Sequence, residues 1–279
     1  MKDTKVHYEE RVPKHNLLKN PALYRQVHPI YNFEKISNLQ QTHVPTHSLR
    51  DKLALWSVRG LRFMFDLGSG FNKDTMTKEQ WLTRCIFLET IAGVPGMVGG
   101  MARHMRSLRT LKHDHGLIHH LLNEAENERT HLFIFLRLKQ PGKLFQLLIA
   151  LSQGIFFNLY FLAYLASPRF CHRFVGYLEE EAVHTYTMML EAQTSQWLLN
   201  TEAPAVAAEY YELGKVGEVK MRDVILSVRA DESIHRDVNH RFADIFSQKE
   251  GSINCEMEVE RILEKDYRVK RESSSGVDL

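Results

Sequence analysis

Three Glu-x-x-His spacings stand out in this sequence: Glu128/His131, Glu181/His184 and Glu232/His235. On a helix, that offset puts a carboxylate and an imidazole on adjoining turns of one face, where both can reach the same metal. Hard carboxylate oxygens suit iron or manganese, and imidazoles bias such a site from calcium toward redox iron. Spacing alone is weak evidence: with 23 glutamates and 15 histidines in 279 residues, about one such pair is expected by chance. Context adds weight. Glu89 lies in the apolar run CIFLETIAGV, and Glu179, Glu180 and Glu181 sit between RFVGYL and AVHTY. An unpaired carboxylate is costly to bury in such surroundings. In NEAENERTH (123–131), Glu124, Glu128 and His131 share a helical face, and nearby cations would relieve the repulsion between the acids.

A two-metal centre in a helical bundle takes one Glu from each of two helices and a Glu-x-x-His pair from each of two others. Glu89, Glu128/His131, Glu179 and Glu232/His235 supply one contribution from each of four helical segments. Spacing leaves a competing choice open, in which Glu181/His184 serves as a ligand pair and Glu232/His235 is left over.

Those residues need helices to position them, and from residue 48 onward helical signals dominate. Ser48 or Asp51 starts a helix through LALWSVRGLRFMFDL, stopped by GSG at 68–70. Thr77, followed by Glu79 and Gln80, opens a longer one, in which Pro95 and three later glycines allow a kink or close backbone approach. Further helices are expected at about 115–138, 143–166, 168–198 and 219–248, with shorter helical material near 204–213. No strand alternation or internal repeat is evident, so the expected class is all-α. Residues 1–46 read as an extended arm, 47–250 as the helical domain, and 251–279 as a tail, disordered in part.

At 44% hydrophobic, the chain can bury one large core. A net charge of +2 argues against a nucleic-acid surface. The stripe RHMRSLRTLKH (103–113) reads as a solvated helix face or as an anionic-lipid or dimer contact. Cys85, Cys171 and Cys255 are too few and scattered for a disulfide framework or thiolate site, which fits a reducing compartment. MKDTKVHYEERVPKHNLLKN lacks the apolar core of a signal peptide and carries acids that matrix-targeting segments avoid. Residues 144–166 hold 23 residues without formal charge, enough for a bilayer span, a buried core helix or a helix lying in one leaflet. As the sole span it would part Glu128/His131 from Glu179 by about 30 Å of hydrocarbon. A shared metal site forbids that, so an in-plane placement beside 48–67 is expected.

At these residues the sequence resembles the alternative oxidases, the cyanide-insensitive ubiquinol oxidases of mitochondria. LETIAGVPGMVGGM (88–101), NEAENERTHL (123–132), SPRFCHRFVGYLEEEAVHTY (167–186) and RADESIHRDVNH (229–240) carry the resemblance, over about 48–246. It implies a ferritin-like four-helix bundle with two additional membrane-surface helices. Two iron ions per chain would be held by Glu89, Glu128, His131, Glu179, Glu232 and His235, leaving His184 out. Tyr186 would donate an electron and proton in O–O cleavage, and Asn127 and Asp231 would orient ligands by hydrogen bonds. Ubiquinol would bind at Arg62, Asp66, Arg84, Cys85, Leu88, Leu178, Ala182 and Thr185; for Arg84, a structural salt bridge to Asp66 or Glu79 is the plainer role.

The implied activity is non-electrogenic: two ubiquinols oxidised and O2 reduced to water. The implied setting is a homodimer, monotopic on the matrix side of the mitochondrial inner membrane, with Arg103, His104 and Arg109 at the dimer helices. A plastid-type terminal oxidase shares the motif plan, and a di-iron hydroxylase would use the same ligands. A ferritin-like iron-handling protein would not need the apolar segment 144–166. Tyr31 and Tyr211 stand where relatives often carry Trp, and packing consequences alone are expected of them. No N-terminal cysteine of the kind used for covalent dimer linkage is present, so keto-acid regulation is not expected. Glu124 is expected to support a ligand or pair with a base, and Glu126 to be solvated.

Overall fold

Side-chain caps set the starts of the helices that begin at Phe33, Leu49, Lys78 and Pro168. The computed structural model describes residues 28, 30–246 and 261–262; expectations for 1–27, Cys255 and the tail lie outside them. Asn32 accepts a hydrogen bond from Lys35 N and starts α1 (Phe33–Ser37). This short helix interrupts an arm expected to be wholly extended; burial of Ile36 in the core holds it. Ser48 and Asp51 form a reciprocal capping box at the start of α2 (Leu49–Ser69), which ends on left-handed Gly70. Thr77 and Gln80 do the same for α3 (Lys78–Thr110). α4 (Leu117–Leu138) and α5 (Lys143–Ala166) follow. Ser167 caps α6 (Pro168–Glu191), with Pro168 in the first turn.

The helix expected to run to 198 stops at Glu191. Ala192 is extended, a 3-10 turn covers Gln193–Gln196, and α7 (Trp197–Asn200) follows. Ser195 takes a non-helical conformation within that turn, and the turn returns Leu198 to the core. α8 (Ala205–Tyr210) and α9 (Met221–Ile245) complete the described helices. No strand occurs among the described residues; one isolated antiparallel bridge pairs Glu202 with Lys220.

α3, α4, α6 and α9 form a four-helix bundle in which α3 packs on α4 and α6 on α9. α9 is buried along most of its length despite carrying Arg229, Asp231, Glu232, His235, Arg236, Asn239 and His240. Two glycines permit close contact. A Cβ on Gly96 would lie 2.5 Å from the Leu121 carbonyl oxygen of α4, and one on Gly176 would lie 2.6 Å from His240 Nδ1.

α2 and α5 lie outside the bundle, α2 against α6 and α5 against α3 and α6. Both α3 and α5 are long and apolar enough to cross a membrane. The most apolar window of α3 is 56% buried, that of α5 only 11%. α5 exposes Leu144, Leu147, Leu151, Leu159 and Leu162, and α2 exposes Leu49, Trp56, Phe63, Met64 and Leu67. Arg103 does not join an exposed basic stripe. It is buried, paired with Asp114 at 2.6 Å, and its guanidinium covers the Phe246 ring. His104 and Arg109 remain exposed.

Candidate metal centre

Glu89 of α3, Glu128 and His131 of α4, Glu179 of α6, and Glu232 and His235 of α9 are all buried. Ligand-type atoms of Glu89, Glu128, His131 and Glu232 lie within 4.8 Å of one another. His131 Nδ1 is 3.5 Å from Glu89 Oε2, 3.6 Å from Glu128 Oε2 and 3.4 Å from Glu232 Oε1. His235 Nδ1 lies 2.7 Å from Glu128 Oε1 and 3.8 Å from Glu232 Oε2.

These atoms are close yet poorly aligned for hydrogen bonding. Glu89 Oε2, both Glu128 oxygens, His131 Nδ1, Glu232 Oε2 and His235 Nδ1 have no hydrogen-bond partner. Buried orphans of this kind are expensive, and six of them facing a common centre make a donor set for cations. Carboxylate oxygens with imidazole nitrogens suit iron or manganese, so the residues fit such ions. Burial pushes the Glu89 and Glu179 carboxyls well above the usual range, reinforced by neighbouring acids. Burial also acts on Glu128, but His131 and His235 outweigh it and hold that carboxyl low. Burial opposes charge on both imidazoles, and their acidic surroundings, with Tyr211 foremost for His131, raise them well above the usual histidine range.

The competing pair does not join this group. Glu181 pairs with Arg62 at 2.9 Å, and exposed His184 lies 2.8 Å from Gln41 Oε1. The three consecutive acids of α6 diverge because neighbours on a helix point about 100° apart. Glu179 faces inward, Glu180 meets His43 and His240, and Glu181 meets Arg62. Glu126 is exposed and paired with Arg129.

Asp231 sets the tautomer of His131. It accepts from Tyr211 Oη at 2.7 Å, Asn127 Nδ2 at 3.0 Å and the Tyr31 hydroxyl, and lies 2.8 Å from His28 Nε2. A carboxylate only accepts, so His131 Nε2, 2.9 Å from Asp231, carries a proton, and Nδ1 is the ring nitrogen that faces the acids and would bind a metal there. Tyr31 and Tyr211, expected to matter for packing alone, are therefore direct donors to this carboxylate. His28, which as a histidine outside any periodic segment reads as a plain surface residue, instead has its side chain buried against Asp231; Tyr210, which no motif singles out, has its Oη 2.8 Å from Asn127 Nδ2. The signal was the buried Asp231 beside Glu232, which required donors without naming them. Glu124 is buried, accepts from Asn239 at 2.8 Å, and burial, countered by His235, lifts it to about 7.

A cavity of about 410 Å³ runs from α2 and α5 to the buried acids. Of the expected quinol-binding set, Arg62, Arg84, Cys85, Leu88, Leu178, Ala182 and Thr185 line it, together with Glu89, Glu128, Glu179, Glu232 and Tyr186. Asp66 is not on its wall. It instead pairs with Arg62 at 2.6 Å and with Arg84 at 2.5 Å, so Arg84 has the plainer role while also lining the cavity. Arg62 Nη1 donates to Thr185 Oγ1 at 3.0 Å. The Tyr186 hydroxyl donates to Glu89 Oε1, and burial with the Glu89 charge raises its pKa well above the usual phenol value.

Bundle and cluster together define a helical protein built around a buried carboxylate–imidazole centre able to hold metal. The chain belongs to the alternative oxidase family, whose model matches residues 31–244. It is 48% identical over 232 residues to the mitochondrial alternative oxidase of Aspergillus niger, covering 78% of this chain and 66% of that protein. With the mitochondrial alternative oxidase of Trypanosoma brucei brucei it shares 46% identity over 229 residues, 81% of this chain and 69% of the relative. The mitochondrial alternative oxidase 2 of Candida albicans is 41% identical over 260 residues, with coverages of 87% and 71%. The chain thus matches about two thirds of the length of these curated relatives.

Proposed function

We propose that this chain is a non-electrogenic ubiquinol:oxygen oxidoreductase, with 47–250 as its catalytic unit. Four electrons and four protons from two quinols would convert O2 into two waters. The carrying observation is the cavity, which joins an apolar surface to the acid cluster and has few polar points on its wall. Glu89, Glu128, His131, Glu179, Glu232 and His235 would hold two iron ions. When bound, the iron pair would supply O2 binding and electron acceptance.

The chain's own residues supply the rest. Arg62 and Thr185 present hydrogen-bonding groups to a quinol oxygen, while Leu88, Leu178 and Ala182 exclude water from its ring. Asp231 and Asn127 fix His131 for metal binding. Tyr186 lends an electron to O2 reduction and a proton to Glu89 Oε1, and regains both from quinol, so the total stays at four electrons and four protons. The exposed faces of α2 and α5 lie in one leaflet, on the matrix side of the mitochondrial inner membrane, and two chains associate as a homodimer.

Oxygen uptake by iron-loaded protein with a short-chain ubiquinol, in cyanide, tests this. Two quinols per O2 are expected. No uptake would refute the oxidase, and one O2 per hydroxylated product would mark a hydroxylase instead.

A further inference from the structure

Residues 30–47, with His28 ahead of them, pass from α9 to α6, the helices that carry Glu232/His235 and Glu179. On the α9 side, His28 and Tyr31 meet Asp231 Oδ1, and Arg229 Nη2 donates to the Ile36 and Ser37 carbonyls at 2.7 and 3.3 Å. On the α6 side, His184 Nδ1 lies 2.8 Å from Gln41 Oε1, and His43 Nδ1 lies 2.6 Å from Glu180 Oε2. Val44 N donates to Glu180 Oε1 at 2.9 Å, and the Tyr177 hydroxyl donates to Val44 O at 3.1 Å. Tyr177, Glu180 and His184 form one stripe along α6, three and then four residues apart. Residues 39–47 form no helix or strand of their own, so bundle side chains hold this segment.

Two of those anchors occupy telling positions. Asp231 precedes Glu232, and Glu180 follows Glu179. Adjacent side chains point about 100° apart on a helix, so Glu180 faces the arm while Glu179 faces the cluster, and Asp231 joins the arm to His131 while Glu232 faces the acids. Rotating either helix would move both. Glu180 Oε1 also lies 3.0 Å from His240 Nε2, which binds α6 to α9 at the same carboxylate.

We propose that residues 30–47, together with His28, are a strap that sets the rotation of α6 and α9 about the acid cluster, with Asp231 and Glu180 as its positioning residues. The proposal rests on the metal-centre reading given above.

The test uses the full chain with Tyr31→Phe, Glu180→Gln and, as a strap contact remote from any ligand, Gln41→Ala. Three quantities are measured: iron release to a chelator, the EPR spectrum of the half-reduced iron pair, and amide exchange of 176–183 and 229–236 in metal-free protein. The first two variants should release iron about tenfold faster, alter the EPR spectrum and exchange faster in both segments, while Gln41→Ala should not. Tyr31→Trp, which restores a ring N–H donor, should return release toward the parent rate. Unchanged release, spectrum and exchange in Tyr31→Phe and Glu180→Gln would overturn the strap. So would effects in all three variants that merely track lost thermal stability. If the parent takes up no iron, the metal reading fails, and the exchange measurement still decides the strap.

Discussion

His131 shows how single residues are used here: one ring nitrogen is committed to Asp231 so that the other is free for the acids. Such polarity was legible in part. Glu89, Glu128, Glu179 and Glu232 announced themselves because a carboxylate in an apolar run needs a reason to be there. Tyr31 and His28 did not, because a tyrosine or histidine in an arm suits many surroundings and their partner lies about 200 residues away. Two expectations follow at this scale. Tyr186→Phe should retain iron and lower quinol-driven oxygen uptake by about a hundredfold or more, since only the phenolic hydroxyl is removed; normal uptake would remove Tyr186 from the chemistry. Cys171, whose burial lifts its thiol to about 12, should resist alkylation at neutral pH until the chain unfolds, as timed labelling can check.

At the scale of elements, the capping pairs Ser48/Asp51 and Thr77/Gln80 placed two helix starts correctly, because the two side chains answer each other locally. The break after Glu191 carried no Gly or Pro and was missed; polar Thr194 and Ser195 gave only a weak sign. Glycines of α3 indicated close approach but not the partner, which is the α4 backbone. Gly96→Ala gains helix propensity yet drives a methyl into the Leu121 carbonyl. The expected net loss is about 1–3 kcal/mol in denaturant unfolding, with weaker iron retention because α4 carries Glu128 and His131. A variant as stable as the parent would mean that the two helices part easily.

For the whole molecule, the helical class and the order of the bundle helices followed from periodicity, whereas the path of the arm depended on contacts no local pattern encodes. Stability against acid is a property of this assembled interior. His172 is buried between α5 and α9, near Tyr164 and Asn239, and burial depresses its pKa to about 4. Unfolded, it titrates near 6.5, so between those values the unfolded chain binds more protons. Stability should therefore fall as pH drops from about 6.5 to about 4, by up to about 3 kcal/mol from this group. His172→Gln should flatten that limb in urea titrations at successive pH values; an unchanged slope would assign the acid sensitivity elsewhere.

The cavity wall includes Leu61, Ile155 and Leu159, which are also exposed on the outer faces of α2 and α5. With α2 and α5 set in a leaflet as proposed, such an opening would sample a two-dimensional solvent. Turnover would then obey surface-dilution kinetics, with rate set by the mole fraction of quinol among the lipids. Adding quinol-free vesicles at constant total quinol would slow the reaction, although nothing dissolved in water had changed.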